Sequence, residues 1–197
     1  MQQALAHRAA QDMEAAYAAI LRADPNDHHA AGLRAQIALE TGRPAADLFA
    51  AARVHQPDNP ALIRGHAAAL IEAGEGAQAN HLLNSTLAMH TAWLDGHQLL
   101  ANLRVTSGDP DFARSYAEAV AREPGNVSLR LAWFQALSVA RDWAGARAVV
   151  EDAIAAFGDT PALRSARVYL VSESGEGADD PVLFDAVCDI ADIGLLV

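Results

Sequence analysis

The chain is 197 residues long with a formal charge of −11, and it is 52% hydrophobic yet only 6% aromatic. That length suits one ordinary domain or a short array of stacked repeats. All basic residues are arginines and none gather into a stripe, so no nucleic-acid footprint is expected; the lone cysteine, Cys188, rules out an internal disulfide framework; and no apolar run reaches the roughly 18 to 20 residues of a membrane span. Alanine makes up nearly a quarter of the sequence. It is the best helix former and lets helices approach closely, so tightly packed helices are expected rather than a sheet. The opening MQQALAHRAAQDMEAA has no charged segment followed by a long apolar one, which points to a reducing, cytoplasmic setting without a membrane partner.

Taken in chain order, the sequence is fenced at regular intervals. MQQALAHRAAQ and MEAAYAAILRADPND read as an abbreviated first helix and its partner, closing a partial unit at 1–26. A unit over 27–59 follows, interrupted by TGRP at 41–44; the unit over 60–91 is interrupted by AGEG at 73–76, that over 92–126 by SGDP at 107–110, and that over 127–160 by ARDW at 140–143. A last, partial or capping unit covers 161–197, with SGEG at 174–177. Markers at Asn26, Asn59, Thr91, Asn126 and Thr160 recur in steps of 33, 32, 35 and 34 residues. Each complete unit therefore divides into two helices of about 12 to 15 residues joined by a tight turn.

The chemistry of the breaks is that of helix ends. Asn59–Pro60, Asp109–Pro110, Thr160–Pro161 and Asp180–Pro181 each place a capping side chain before a proline, which loses nothing in a first turn by lacking an N–H. Gly42, Gly74, Gly108 and Gly175 fall where a preceding helix must end, and glycine accepts the left-handed conformation needed there. Between the fences, Phe112, Ala113, Tyr116, Ala117 and Val120 share one helical face, as do Trp143, Ala146, Val149, Val150, Ala153, Ile154 and Phe157. Ala79, Leu82, Leu83 and Leu87 make a thinner stripe. One hairpin of this size cannot bury its apolar face alone, so neighbours must stack on it.

A period near 34, two helices per unit and a proline at the unit's end resemble tetratricopeptide repeats. Small residues hold most of the close-packing positions, with Ala67 and Ala101 in first helices and Ala79, Ala113 and Ala146 in second helices; Phe134 departs from that preference and the 27–59 unit departs in phase. The resemblance spans nearly the whole chain and implies an all-α, right-handed superhelical solenoid. More narrowly, GDPDFARSYAEAVAREPGN, LRLAWFQAL and PALRSARVYLVSESG are similar to the repeat arms of bacterial proteins in which a 2-oxoglutarate- and iron-dependent oxygenase domain follows the repeats. That family's metal-binding His-x-Asp/Glu pair is absent here, so no activity is carried over.

Catalytic chemistry finds no foothold in the residues. The histidines at 7, 28, 29, 55, 66, 81, 90 and 97 offer no three- or four-residue spacing on one helical face, so neither metal nor cofactor is expected. Ser85, Ser107, Ser115 and Ser138 lack a strand-to-helix elbow, and the chain has no lysine for a phosphate loop. What remains is a groove lined by first helices, where an extended peptide or an attached domain can lie. The repeat phase puts His29, Gln36, Glu40, Arg64, Glu72, Gln98, Asn102, Gln135 and Tyr169 along it. The family's clamp for carboxylate termini uses lysines, which this chain lacks. Trp93, Trp133 and Trp143 read as anchors between helices; of Trp133 and its neighbour Phe134, one is expected at an inter-repeat contact and the other partly exposed.

The terminal DAVCDIADIGLLV brings Ile190, Ile193, Leu195, Leu196 and Val197 with almost no polar relief, whereas a solenoid's last helix normally turns a polar face outward. It is therefore expected to dock on a partner, to self-associate or to be poorly ordered, while Cys188 is expected to serve as a small core residue. The functional expectation is a non-enzymatic protein-interaction scaffold; the alternative is a substrate-positioning or assembly arm of a larger enzyme such as the oxygenase.

Overall fold

The computed structural model describes residues 2–174, with side chains from Ala9 onward. Ten α-helices, and no strand, occupy the described residues. They are α1 (Gln2–Ala23), α2 (His28–Glu40), α3 (Ala46–Arg53), α4 (Pro60–Glu72), α5 (Gly76–Met89), α6 (Leu94–Thr106), α7 (Arg114–Arg122), α8 (Val127–Val139), α9 (Trp143–Phe157) and α10 (Pro161–Ser174). The chain forms two compact units, Met1–Leu103 and Arg104–Val197, so α6 belongs to the first through Leu103. The first unit stacks α2 on α1, α3 on α2, α4 on α3 and α5 on α4; in the second, α8 packs on α7, α9 on α8, and α10 on both α8 and α9.

The helices begin where their caps dictate. The side chains of Asp27, Asn59, Asn126 and Asp142 accept hydrogen bonds from the N–H groups of Ala30, Ala61, Leu129 and Gly145. Pro60 sits in the first turn of α4. Two second helices are shorter than expected: α3 has 8 residues and α7 has 9. Ala45 and Ala113 precede them and supply no capping side chain. In the second case Asp109 accepts from the N–H of Asp111 instead, and Arg114 and Tyr116 donate to carbonyls three residues back. The stretch after Asp109–Pro110 is thus a tight turn, and the α-helix starts four residues later than the proline suggests. The N-terminal hairpin is also not seen: α1 runs unbroken for 22 residues because nothing from 2 to 23 interrupts it, neither glycine nor proline. The expectations for Gly175, Asp180–Pro181, Cys188 and the apolar stretch from Ile190 to Val197 lie outside the described residues.

First helices end in one recurring motif. The N–H of Gly42 donates to the Leu39 carbonyl and that of Arg43 to Ala38; the pattern repeats at Gly74 and Glu75, at Gly108 and Asp109, and at Arg141 and Asp142. This pair of bonds satisfies carbonyls that a helix end leaves open, and requires a positive φ at its pivot. The pivots have φ of 67°, 79°, 75° and 59°. Three are glycine; the fourth is Arg141, whose Cβ is crowded in that conformation.

Packing depends on residues with little or no side chain. Phe49 of α3, 1% exposed, presses into α4 at Gly65, where a Cβ would lie 2.3 Å from the phenyl ring. Trp93 does the same to Gly96 of α6, with 2.1 Å to the indole. Around these contacts the first unit buries Ala35, Ala38, Ala52 and Leu62 in one cluster and Ala67, Leu83, Leu87 and Leu100 in another. In the second unit Tyr116, Leu129, Val150, Leu163 and Leu170 are fully buried, each contributing on the order of 1.5–3 kcal/mol. Phe134 is buried and meets the ring of Tyr169 edge-on at 6.2 Å, joining α8 to α10, while Trp133 is only half-buried. The guanidinium of Arg130, 7% exposed, pairs with Asp152, donates to the Pro124 carbonyl at 3.3 Å and lies 5.4 Å from the Phe157 ring centre.

Two stability changes of opposite sign follow. Arg141→Gly relieves the strained pivot and is expected to raise unfolding stability by up to about 1 kcal/mol. Gly65→Ala drives a methyl into Phe49 and is expected to lower it by about 1–3 kcal/mol. Urea unfolding followed by far-UV circular dichroism measures both, and a stabilised Gly65→Ala would contradict the close-approach account.

Candidate functional site

In the first unit, three successive first helices turn side chains toward a common depression of about 270 Å³. Helix α2 supplies Gln36 and Leu39, α4 supplies Arg64, Gly65 and Ala68, and α6 supplies Asp95, Gln98, Leu99 and Asn102. The floor is apolar or without side chain, because Gly65 has given its space to Phe49 on the other side of α4. The rim carries three amides, one guanidinium and one carboxylate. Gln36 donates from Nε2 to Glu40 Oε1 at 2.8 Å, which fixes its amide and leaves its carbonyl oxygen to accept. Arg64 is exposed and forms no ion pair among the described residues.

Four of the nine expected groove residues, Gln36, Arg64, Gln98 and Asn102, are therefore brought together. Glu40 stands beside them through its bond to Gln36 without lining the depression. His29 is exposed in the first turn of α2. Glu72 lines a different hollow, with Arg43, Asp47 and Glu75, at the turn end of the hairpins. Gln135 and Tyr169 are exposed on α8 and α10 of the second unit. Asp95 and Leu99 were missed; Asp95, Gln98 and Asn102 have the i, i+3, i+7 spacing of one helical face, and that signal was open to reading.

Charged groups elsewhere in the unit hold helices together. Glu14 of α1 accepts from Arg43 and lies 3.6 Å from Arg34 Nε, and these two guanidiniums, Arg43 foremost, hold its carboxyl below the usual carboxylate value despite some burial. His28 stacks on His55 with ring centres 4.3 Å apart. His97, 1% exposed, has Nε2 2.8 Å from the Thr91 carbonyl. No cluster of three or more metal-ligating side chains occurs among the described residues, nor is any described helix long and apolar enough to cross a membrane.

Solved structures with similar helical hairpins are known. The chain is similar to MamA (TM-score 0.54, 20% identity, over 75% of this chain and 90% of MamA). It is also similar to a tetratricopeptide repeat protein of Parabacteroides merdae (0.55, 16%, over 92% and 71%), and to pilF of Pseudomonas aeruginosa (0.52, 15%, over 89% and 82%). No protein-family model and no curated protein matches the sequence. The likenesses show the fold: this is an all-α protein of tetratricopeptide-like helical hairpins. The link to an oxygenase finds no support in them and is set aside.

His66 provides a test of the α3–α4 contact. Its Nδ1 lies 3.1 Å from Arg53 Nη1, and burial first, then the Arg53 charge, push its pKa below the usual histidine value of 6.5, with Asp47 opposing. Because the folded value lies below the unfolded one, the folded state resists protonation. Stability is therefore expected to fall as pH drops from about 6.5 through the folded value, and then to level off. His66→Gln should flatten that part of the profile. An NMR titration placing the His66 midpoint at or above 6.5 would contradict the argument.

Proposed function

We propose that the chain is a non-enzymatic scaffold, acting as one array of helical hairpins in the cytoplasm, that holds a partner polypeptide against the first helices. The observation that carries this reading is the depression shared by α2, α4 and α6, in which Gln36, Arg64, Gln98 and Asn102 converge. Amides offer both donors and acceptors, which suits the alternating N–H and C=O groups of an extended backbone. Arg64 adds a fork for a carbonyl or carboxylate, and Asp95 on the same rim disfavours strongly acidic segments. Leu39, Ala68 and Leu99 give a partner's side chains apolar surface to cover. His29 and Glu40 of α2 form the outer reach of this proposed face.

The test is affinity capture from source-cell extract with the wild-type chain and with the triple variant Arg64→Ala, Gln98→Ala, Asn102→Ala. Each lost contact is worth about 0.5–1.5 kcal/mol, so recovery of the specific partners should fall at least about tenfold while helicity is unchanged. Equal recovery by the triple variant would remove the depression from the binding mechanism.

A further inference from the structure

The second unit carries a groove of its own, bordered by two second helices and the first helix between them. It has a volume of about 390 Å³ and runs from the Pro110–Ala113 turn and Ala117 of α7 to Gly145, Ala148 and Val149 of α9, with Trp133 and Leu137 of α8 between them. The opening exists because of features already described. Helix α7 starts four residues late, replacing a turn of helix with a tight loop, and the facing positions are Ala113, Ala117, Gly145 and Ala148.

Three observations bear on what fits there. The walls are mostly apolar, with Phe112, Trp133, Leu137 and Val149 the large contributors. The Trp133 indole N–H is buried yet has no hydrogen-bond acceptor, an arrangement that costs about 1–3 kcal/mol unless something supplies one. The charged rim is mostly acidic: Asp111, Asp142 and the exposed Asp152 border the groove. Among the described residues only Asp152 of these is matched by a guanidinium, that of Arg130, while the single arginine of the lining, Arg114, is held by Glu118 at 2.8 Å. Asp142 caps α9 by accepting from Gly145 N–H and forms no ion pair among the described residues.

We propose that this groove seats one or two large apolar side chains of a partner polypeptide whose flanking residues are lysine or arginine. Its volume lies at the low end for ligand pockets and suits side-chain anchors rather than a whole helix. Desolvated apolar anchors provide affinity, the Trp133 ring gives them a wall to cover, and cations flanking the anchors meet Asp111, Asp142 and Asp152.

The full chain, labelled with ¹⁵N, is titrated with two 12-residue amphipathic probes. Both carry leucine at i, i+3, i+4 and i+7; one has lysine and the other glutamate at the remaining positions. The Trp133 indole N–H resonance, assigned with Trp133→Phe, should move saturably with the lysine probe and not with the glutamate probe. Ala148→Arg, at an exposed position of α9, should weaken lysine-probe binding at least tenfold, with Asp111→Lys as a second variant should the first misfold. The triple variant of Arg64, Gln98 and Asn102 should bind that probe as the wild type does, which separates this groove from the depression of the first unit. An unmoved Trp133 signal, equal binding of both probes, or undiminished binding by both groove variants would overturn the proposal. So would a Trp133 shift produced by raising the protein concentration alone, which would make a second copy the occupant.

Discussion

A phenyl ring occupies the space where residue 65 would have a side chain. Phe49 can be almost wholly buried only because α4 offers bare backbone at Gly65, and the half-buried Trp93 lies as closely against Gly96. Helices of 8 to 15 residues make marginal structures alone, and most of their stability comes from tertiary packing. The chain obtains that packing by alternating bulk with its absence: Ala35, Ala67, Ala79 and Ala146 are completely buried, Ala35 clustering with Phe49 and Leu62 and Ala67 with Leu83 and Leu100. An alanine-rich sequence with few aromatics would make a poor single core, but it serves a stack in which each helix needs only a thin seam on each side.

The hairpin plan was legible because it is written in local chemistry. Glycine after a helix, and asparagine or aspartate before one, act within five residues, and the pivots at Gly42, Gly74 and Gly108 stand where such residues demand them. The ARDW turn carries no glycine, and the structure shows why it works without one: Arg141 adopts the same left-handed geometry while Asp142 caps the next helix. Helix lengths were less legible. A proline permits a helix start but does not enforce one, and after Asp109–Pro110 the Asp109 carboxylate stabilises a tight turn that competes with the first helical turn.

The candidate site was half legible, and helix geometry says which half. Residues seven apart on a helix project about 20° from one another and residues four apart about 40°. Gln98 and Asn102 therefore share a direction, and so do Gln36 and His29, though His29 lies about 10 Å nearer the helix start. Glu72 is eight residues beyond Arg64, about 80° round and 12 Å along, which carries it to the hollow beside Asp47 and Glu75. The groove of the second unit was not legible at all. It depends on a helix beginning late, which no periodic pattern records, and on Trp133 rather than Phe134 turning away from the seam, a choice that adjacency of the two residues leaves open.

The charge distribution separates the two faces. Among the described residues, three ion pairs join separate elements: Glu14 binds Arg43 and Arg34 between α1 and the α2–α3 region, and Asp152 meets the buried Arg130. Arginines so engaged contribute fixed geometry rather than recognition. Arg64 is outside these pairs and sits on the rim with three amides, so its environment favours a polar backbone over any particular side-chain charge. The second groove has the reverse character, with apolar walls, an unsatisfied N–H and carboxylates around the edge. A chain with a formal charge of −11 and no lysine repels acidic partners generally. Discrimination among the remaining partners then rests on where the apolar anchors fall relative to their basic neighbours, and the spacing between Trp133 and Asp111, Asp142 and Asp152 sets that requirement.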